Sequence, residues 1–216
     1  MVVFLLEELE KKYAELQVKY GDPSLDSITF GGCLENPDIC FVFMNPTARN
    51  ITASKDWKGI KSPWVGTKNV WNLFYELGMI DEALYNEIRS IKSNEWTYEF
   101  AEKVYEQVKN NKFYITNLAK CTQVDARVLP DSIFREYLDL FLQEMEIVKP
   151  KVIILFGNQV SSIVLGEKIS VSQVRKKEFL LNDKFKCYAV YYPVGNGRFN
   201  MDKAIEDILY VINSLK

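Results

Sequence analysis

The chain has 216 residues, of which 48% are hydrophobic and 26% charged, and its formal net charge is −2. This length and composition can bury a substantial core, so we expect one globular domain over residues 1–216 rather than a disordered chain. The chain contains no histidine. Imidazole acid–base catalysis, histidine-activated nucleophiles and histidine-ligated zinc are therefore excluded.

Several other classes of protein are also disfavoured. No apolar run approaches the roughly 20 residues that would span a bilayer, and the apolar start of the chain is soon interrupted by glutamates. We therefore expect a cytoplasmic protein with no membrane contact. Four cysteines without a CxxC pair predict no disulfide framework. The net charge argues against nonspecific coating of nucleic acid but leaves room for a local basic rim.

Helical periodicity covers much of the chain. Apolar side chains recur at three- and four-residue spacing between residues 4 and 20 and stop at Gly21-Asp22-Pro23. This pattern predicts an N-terminal helix, within residues 1–22, that packs on the domain. Later helices are predicted at residues 69–77, 81–92, 95–109, 133–148, 159–165 and 201–215.

Four short apolar runs predict buried strands. They end at Asn45, Asn117, Phe156 and Tyr192 and alternate with the helices. Such alternation implies right-handed crossovers, so we expect a three-layer α/β/α fold with a central, mostly parallel four-stranded sheet. Residues 48–67 are polar with isolated tryptophans, and we expect a long functional loop there rather than a packed element.

The carboxyl ends of these strands are predicted to meet at one edge of the sheet, where ligands bind in open α/β folds. They would present Asn45, Asn117, Gly157-Asn158 and Tyr192 around a neutral pocket. An asparagine amide both donates and accepts, so it can read the alternating N–H and C=O groups of an imide. Trp64, on the long loop, would supply a flat surface for stacking. The pattern favours a planar heterocycle over a phosphate or a sugar acid.

Each of these residues also has a simpler interpretation. An asparagine just after a strand is commonly a turn residue or a helix cap. Trp64, beside Pro63, would be a loop residue packed on the core, and Tyr192 a half-buried tyrosine at a strand end. Their convergence at one edge is what favours a binding site.

Five segments, in this order, resemble motifs of the uracil-DNA glycosylase superfamily, nearest to its bacterial and archaeal family-four type. The resemblance extends from about Phe30 to the C-terminus. The segments are Phe30–Pro46, Pro63–Gly66, Tyr114–Cys121, Lys149–Gly157 and Tyr191–Val194. Tyr114–Cys121 is similar to the family's Tyr-Ile-Thr-Asn-Val-Val-Lys-Cys, and Tyr191–Val194 occupies the place of its Tyr-His-Pro-Ser.

The resemblance implies a uracil-DNA glycosylase-like fold. It also implies a DNA repair enzyme that flips uracil, or a related deaminated base, out of DNA and hydrolyses the N-glycosidic bond. The implied partner is DNA containing such a lesion, and we expect a monomer. The implied catalytic residues are Asn45 and Tyr192; the substrate-binding residues are Trp64, Asn117, Pro46 and Gly66; and the DNA-binding residues are Lys120, Asn158, Gly195, Asn196 and Arg198.

The chain departs from the family-four pattern at three places. Of the four cysteines that hold the family's iron–sulfur cluster only Cys121 is present, with Tyr137 at the fourth position, so we expect no cluster, metal or cofactor. The first motif reads Phe43-Met-Asn-Pro-Thr47 in place of Gly-Glu-Ala-Pro-Gly. It is similar to the Gly-Ile/Met-Asn-Pro-Gly of the mismatch-specific and single-strand-selective branches, in which the asparagine positions water. Tyr192 replaces the motif histidine.

These departures leave two other hypotheses open. The chain could be a catalytically weak or inactive relative that acts as a nucleic-acid- or nucleobase-binding module, which the missing histidine favours. It could also be a hydrolase of free nucleosides.

Overall fold

A six-stranded sheet forms the centre of the fold. It contains β1 (Phe30–Gly32), β2 (Ile39–Phe43), β3 (Phe113–Asn117), β4 (Val152–Phe156), β5 (Glu178–Leu181) and β6 (Phe185–Val190). Their order across the sheet is β1-β3-β2-β4-β6-β5. The structure is a computed structural model that describes residues 1–215; Lys216, the last residue of the predicted domain, lies outside the described residues.

The four predicted strands form the parallel centre of this sheet, β3-β2-β4-β6. The prediction of a four-stranded sheet is corrected to six strands, because β1 and β5 add antiparallel edges. β1 has only three residues, two of them glycine. β5 is mostly exposed or half-buried along its length. Short edge strands of this kind lack the continuous apolar run that marks a strand buried on both faces.

Eight helices are described between residues 1 and 215. They are α1 (Val2–Tyr20), α2 (Asn69–Glu76), α3 (Glu82–Ser90), α4 (Tyr98–Asn110), α5 (Asp131–Val148), α6 (Asn158–Leu165), α7 (Val171–Val174) and α8 (Met201–Ser214). The Asp81 side chain accepts from the Leu84 amide and caps α3, and Thr97 caps α4 in the same way. The predicted helices are confirmed, and the four-residue α7 was not predicted. None of the helices described in residues 1–215 is long and apolar enough to cross a membrane.

The two faces of the sheet carry separate apolar clusters, because successive strand residues point to opposite sides. Phe41 and Phe43 of β2 pack with residues of α2, α3, α4 and α8. Cys40 and Val42 pack with residues of α1, α5 and α6. The α/β/α layering is therefore confirmed, and α1 is part of the second helical layer.

The segment of residues 48–67 is more firmly packed than predicted. Its only regular element is a 3-10 turn, Ile51–Ala53, yet Thr52 and Ser62 are buried. Thr52 Oγ1 donates to the Ser62 carbonyl over 3.1 Å, and the Ile51 amide donates to the Val65 carbonyl over 3.1 Å. The expectation of an unpacked loop is wrong because the two halves satisfy one another's polar groups, which needs no apolar pattern.

Candidate active site at the strand ends

The topology brings the predicted strand ends together. β2, β3, β4 and β6 are parallel, so their carboxyl ends lie at one edge of the sheet. The chain passes from β2 to β3 through α2–α4 on one face and from β3 to β4 through α5 on the other. The strand order thus reverses at β2, which is where open α/β sheets form a ligand crevice. Asn45, Asn117, Gly157 and Tyr192 follow or end these strands. With Trp64, the residues Asn45, Asn117 and Tyr192 are called the strand-end site below.

Asn117 is the last residue of β3 and is almost completely buried, with 2% of its surface exposed. Its side-chain nitrogen Nδ2 is buried and has no hydrogen-bond partner. Buried polar groups are nearly always paired, because an unpaired donor forfeits its hydrogen bonds to water. Asn117 therefore holds a free amide donor at the edge where a ligand would bind.

Asn45 lies two residues past the end of β2 and is partly buried. Its Nδ2 donates to the Pro46 carbonyl over 3.2 Å, which turns the side chain back onto its own loop. Pro46 is buried, and its carbonyl also accepts from the Gln123 amide over 3.1 Å. The amides of Leu118 and Ala119 donate to the carbonyls of Phe43 and Met44. The loop that carries Asn45 and the residues that follow Asn117 thus extend the β2–β3 hydrogen-bond ladder, which fixes the positions of the two side-chain amides relative to each other.

Trp64 has a left-handed backbone, with a φ of 67°. This conformation is unusual for a bulky residue and persists only where neighbouring contacts hold it. The Trp64 amide donates to Asn50 Oδ1, and its carbonyl accepts from Thr67 Oγ1 over 2.7 Å and from Trp71 Nε1 over 3.2 Å. Gly66 follows with a φ of 82°, and a Cβ there would lie 2.7 Å from Ile51. Gly66 is thus required by the turn that presents Trp64.

Tyr192 lies in the loop after β6 and is half-buried. Burial raises its pKa above the usual value, so its hydroxyl stays protonated and can donate at neutral pH. Gly197 makes room for its backbone, because a Cβ on Gly197 would lie 2.1 Å from the Tyr192 carbonyl oxygen.

Phe43, the last residue of β2, links these residues, although the sequence analysis did not single it out as a site residue. Its backbone pairs in register with Asn117. Its ring lies 4.8 Å from the Trp64 ring and 6.2 Å from the Tyr192 ring, both edge-on, and stacks on Phe156 at 4.4 Å. The one feature of the sequence that could have drawn attention to Phe43 is its place in the first motif, where the families that the chain resembles have glycine.

The predicted DNA contact at Lys120 is wrong. The Lys120 side chain has no exposed surface, and its ammonium pairs with Glu144 at 2.9 Å. The Nζ atom also donates to Thr116 Oγ1 and to the Asn117 carbonyl, each over 2.5 Å. Desolvation lowers the pKa of Lys120, although Glu144 opposes this shift. An ammonium enclosed in this way cannot reach a phosphate.

Glu144 collects the rest of this buried network. It accepts from the hydroxyls of Tyr13 (2.7 Å), Tyr114 (3.1 Å) and Thr116 (2.7 Å). Because Lys120 also donates to the Asn117 carbonyl, the network connects the strand-end site to α1 and α5.

The remaining predicted DNA-binding residues are exposed. Gly195, Asn196 and Arg198 lie on the 3-10 segment Gly195–Asn200, directly after the Tyr192 loop. Asn158 is exposed as well, but its Oδ1 accepts from the Val171 amide over 2.9 Å, which ties it to α7. The structure therefore leaves a protruding 3-10 segment beside Tyr192 and gives Asn158 a structural bond.

Two further features near the strand ends escaped the sequence analysis. Phe199 is 80% exposed, and the Arg198 guanidinium lies 4.4 Å above its ring. Residues 48–68 contain five basic side chains and one acidic one, in a chain of net charge −2. Counting charge by segment would have found this basic stretch, whose cations are Arg49, Lys55, Lys58, Lys61 and Lys68.

The residues present do not fit the iron–sulfur cluster of the family-four type. Cys121 is buried in an apolar cluster that includes Tyr137 and Tyr13. The rings of Tyr13 and Tyr137 stack at 6.2 Å. Within residues 1–215, no group of three or more histidine, cysteine, aspartate or glutamate side chains is placed to hold a metal ion. Aromatic packing from α1 and α5 occupies this part of the protein, and no step of the chemistry below involves a cluster.

Residues 30–215 match the sequence model of the uracil DNA glycosylase superfamily. The match begins at β1 and ends one residue after α8, so it includes every strand described and every residue of the strand-end site. It leaves out α1, which supplies Tyr13 to the buried network. The superfamily acts on DNA as a class of glycosylase-like proteins, in agreement with two neutral amide side chains at the carboxyl ends of parallel strands. The chain belongs to the uracil DNA glycosylase superfamily.

Proposed function

We propose that the protein is a DNA glycosylase that flips uracil out of DNA and hydrolyses its N-glycosidic bond. The observation that carries this proposal is the unpaired, buried Nδ2 of Asn117 at the end of β3. A ligand that accepts this hydrogen bond removes the cost of leaving the donor unpaired. Uracil does so, because its imide edge offers a carbonyl acceptor beside an N–H donor, which complements an amide.

Asn45 is the residue proposed to hold the attacking water. Its Nδ2 is engaged by the Pro46 carbonyl, so its Oδ1 is the atom oriented to accept from water. A neutral amide is too weak a base to deprotonate water in advance. The glycosidic bond therefore breaks first, with its electron pair leaving on the base. Water then adds to the cationic sugar carbon and loses its proton to solvent, while uracil leaves as the anion that holds the electron pair of the broken bond.

The leaving base needs stabilisation as its negative charge develops. Asn117 donates to one uracil oxygen, and the protonated Tyr192 hydroxyl is the second donor on the opposite side of Phe43. Donors fixed before the reaction stabilise developing charge more effectively than water does, because they need no reorganisation. Trp64 stacks on the flipped base; its backbone is fixed by Asn50, Thr67 and Trp71.

Contacts to the DNA backbone are assigned to the exposed cations around this edge. Arg198 follows the Tyr192 loop, and four exposed cations of the basic stretch of residues 48–68 flank Trp64 in the sequence; the fifth, Lys61, is half-buried and pairs with Asp26. Such contacts neutralise phosphates and position the duplex without reading its sequence. Phe199 is an exposed apolar side chain suited to fill the gap left by a flipped nucleotide.

The test is incubation with single-stranded and G·U-paired oligonucleotides that carry one uracil, followed by alkaline cleavage of abasic sites. The Asn45→Ala variant, purified identically, controls for contaminating glycosylases. We expect cleavage at uracil by the wild type, at a rate at least about 100-fold above that variant. Equal cleavage by both proteins, or none in either context, would refute the proposal.

A binding module is the second candidate, because Tyr192 stands in the place of the motif histidine and its protonated hydroxyl can only donate a hydrogen bond. On this alternative the wild type would bind uracil-containing DNA with no cleavage in any context. Cleavage of free deoxyuridine without cleavage of DNA would instead identify a nucleoside hydrolase.

A further inference from the structure

We propose that a groove beside β1 binds an extended, basic segment of a partner protein, which adds to the sheet as a further strand. The groove has a volume of about 670 Å³ and is lined by β1, residues 60–62 and one side of α4. This volume lies within the range of known ligand sites. None of its lining residues belongs to the strand-end site, so the inference does not depend on the proposed glycosylase activity.

β1 offers unpaired backbone groups to such a segment, because it forms one edge of the sheet. The Cys33 amide donates to the Phe113 carbonyl on the β3 side. Residues of an antiparallel pair alternate between bonded and non-bonded positions, so the backbone groups of Phe30 and Gly32 face outward. The Phe30 carbonyl accepts from Ser62 Oγ over 2.8 Å. The amide and carbonyl of Gly32, which lines the groove, remain for a partner strand.

The base of the groove is apolar and firmly held. Leu34, Ile60 and the ring of Tyr105 line it. A Cβ on Gly31 would lie 2.2 Å from the Tyr105 ring, so the ring packs directly on the backbone of β1. The Tyr105 hydroxyl donates to the Pro63 carbonyl over 2.5 Å and fixes the ring in this place. Apolar side chains of a bound segment would therefore meet a preformed surface.

The charge of the groove favours a cationic occupant. Each lysine that lines it already has a carboxylate partner; the pairs are Lys61 with Asp26 at 2.9 Å, Lys103 with Glu87, and Lys109 with Glu106 at 3.2 Å. Within residues 1–215, the lining carboxylates Glu10, Glu99 and Glu102 pair with no lysine or arginine. The negative charge of these three glutamates is therefore left without a counter-ion.

Glu10, on α1, is the most enclosed of the three. It is half-buried, and the Thr29 hydroxyl donates to its Oε1 over 2.9 Å. Burial nevertheless raises the pKa of the Glu10 carboxyl above its usual value. An ammonium or guanidinium group in the groove would favour the charged form of this carboxyl and lower its pKa.

An extended basic peptide uses all of these features at once. Its main chain pairs with Gly32, its apolar side chains contact Ile60 and Tyr105, and its cations meet the unpaired glutamates. A small cation would use the charge alone. A polyanion such as DNA would be repelled by the same carboxylates.

The experiment titrates the peptide Lys-Val-Lys-Val-Lys-Val, acetylated and amidated at its ends, into the protein and follows binding and amide exchange by NMR. At a peptide concentration of about ten times Kd, exchange of the Gly32 amide should slow by about tenfold. The Gly31 amide, which faces β3, should change little. A peptide with glutamate in place of each lysine should not bind.

Two double variants test the role of charge. Glu99→Gln with Glu102→Gln should weaken peptide binding by about threefold or more. Glu15→Gln with Glu82→Gln is the matched control, because it removes the same net charge from exposed carboxylates outside the groove and should bind as wild type does. The inference is overturned if millimolar peptide does not bind, or if bound peptide leaves Gly32 exchange unchanged. Equal weakening by both double variants, or equally tight binding of the polyamine spermidine, would also overturn it.

Discussion

Replacing Asn117 with leucine should make the protein more stable and much less active. Asn117→Leu keeps a side chain of similar shape but removes the buried Nδ2 donor that has no partner. With 2% of the residue exposed, water cannot satisfy that donor in the folded protein. The wild type therefore carries a cost in stability for an atom that only a bound ligand would pair.

The magnitude follows from that unpaired donor. A buried, unsatisfied polar group costs about 1–3 kcal/mol, and replacing it with an apolar group should recover most of this amount. For a chain of 216 residues, each kcal/mol shifts Tm by about 2–4 °C, so we expect Tm to rise by roughly 2–12 °C. Loss of one preorganised donor should slow single-turnover cleavage by about 100- to 1,000-fold.

Urea denaturation and thermal scanning measure the first effect, and single-turnover cleavage of a uracil oligonucleotide measures the second. Asn111→Leu is the matched control, because Asn111 Nδ2 donates to the Met79 and Gln107 carbonyls at the opposite end of β3. That variant should lose about 0.5–1.5 kcal/mol of stability and keep its activity. A destabilised Asn117→Leu protein, or one that cleaves uracil at the wild-type rate, would refute the reasoning.

Four other outcomes are expected. Asn45→Ala should slow cleavage by about 100-fold or more, while filter binding of uracil DNA changes little. Wild-type activity should vary little between about pH 6 and 9, because the chain lacks histidine and the raised pKa of Tyr192 keeps its hydroxyl protonated; Tyr192→His, assayed over the same range, should introduce a dependence near about pH 6.5. Lys120→Met, which strands the buried Glu144, should cost about 3–5 kcal/mol in urea denaturation, and the double change Lys120→Met with Glu144→Leu should restore much of it; additive losses would contradict this. Arg198→Ala should weaken DNA binding and lower the slope of log affinity against log salt by about 1; an unchanged slope would show that Arg198 makes no phosphate contact.

The parallel centre of the sheet was predictable because its strands are short apolar runs between helices. Once those strands are parallel, the proximity of Asn45 and Asn117 follows from the geometry of the sheet. β1 was missed because an edge strand rich in glycine buries little side-chain surface. The hydrophobic pattern of the sequence therefore predicts the strands that are buried on both faces but does not predict the two edge strands, β1 and β5.

The errors at the site have a different origin. Lys120 matched a motif, but a motif gives residue identity and not burial. Its counter-ion Glu144 lies on α5, and nothing local in the sequence couples the two. Phe43 was not predicted as a site residue, because an apolar residue at the end of a buried strand looks like any other core residue in the sequence. Only the structure shows that Trp64 and Tyr192 lie beside it.

The buried network also determines when the site can form during synthesis. Tyr13 and Glu144 are 131 positions apart, yet their side chains are hydrogen-bonded at 2.7 Å. A nascent chain that has been synthesised only as far as the residue before Glu144 already contains Asn45, Trp64 and Asn117. Its Lys120, however, lacks the counter-ion that offsets the cost of burying the ammonium group. α1 is made before α5 and must wait for it before Tyr13 finds its acceptor. The support beneath Asn117 is therefore completed only when α1 and α5 pack together.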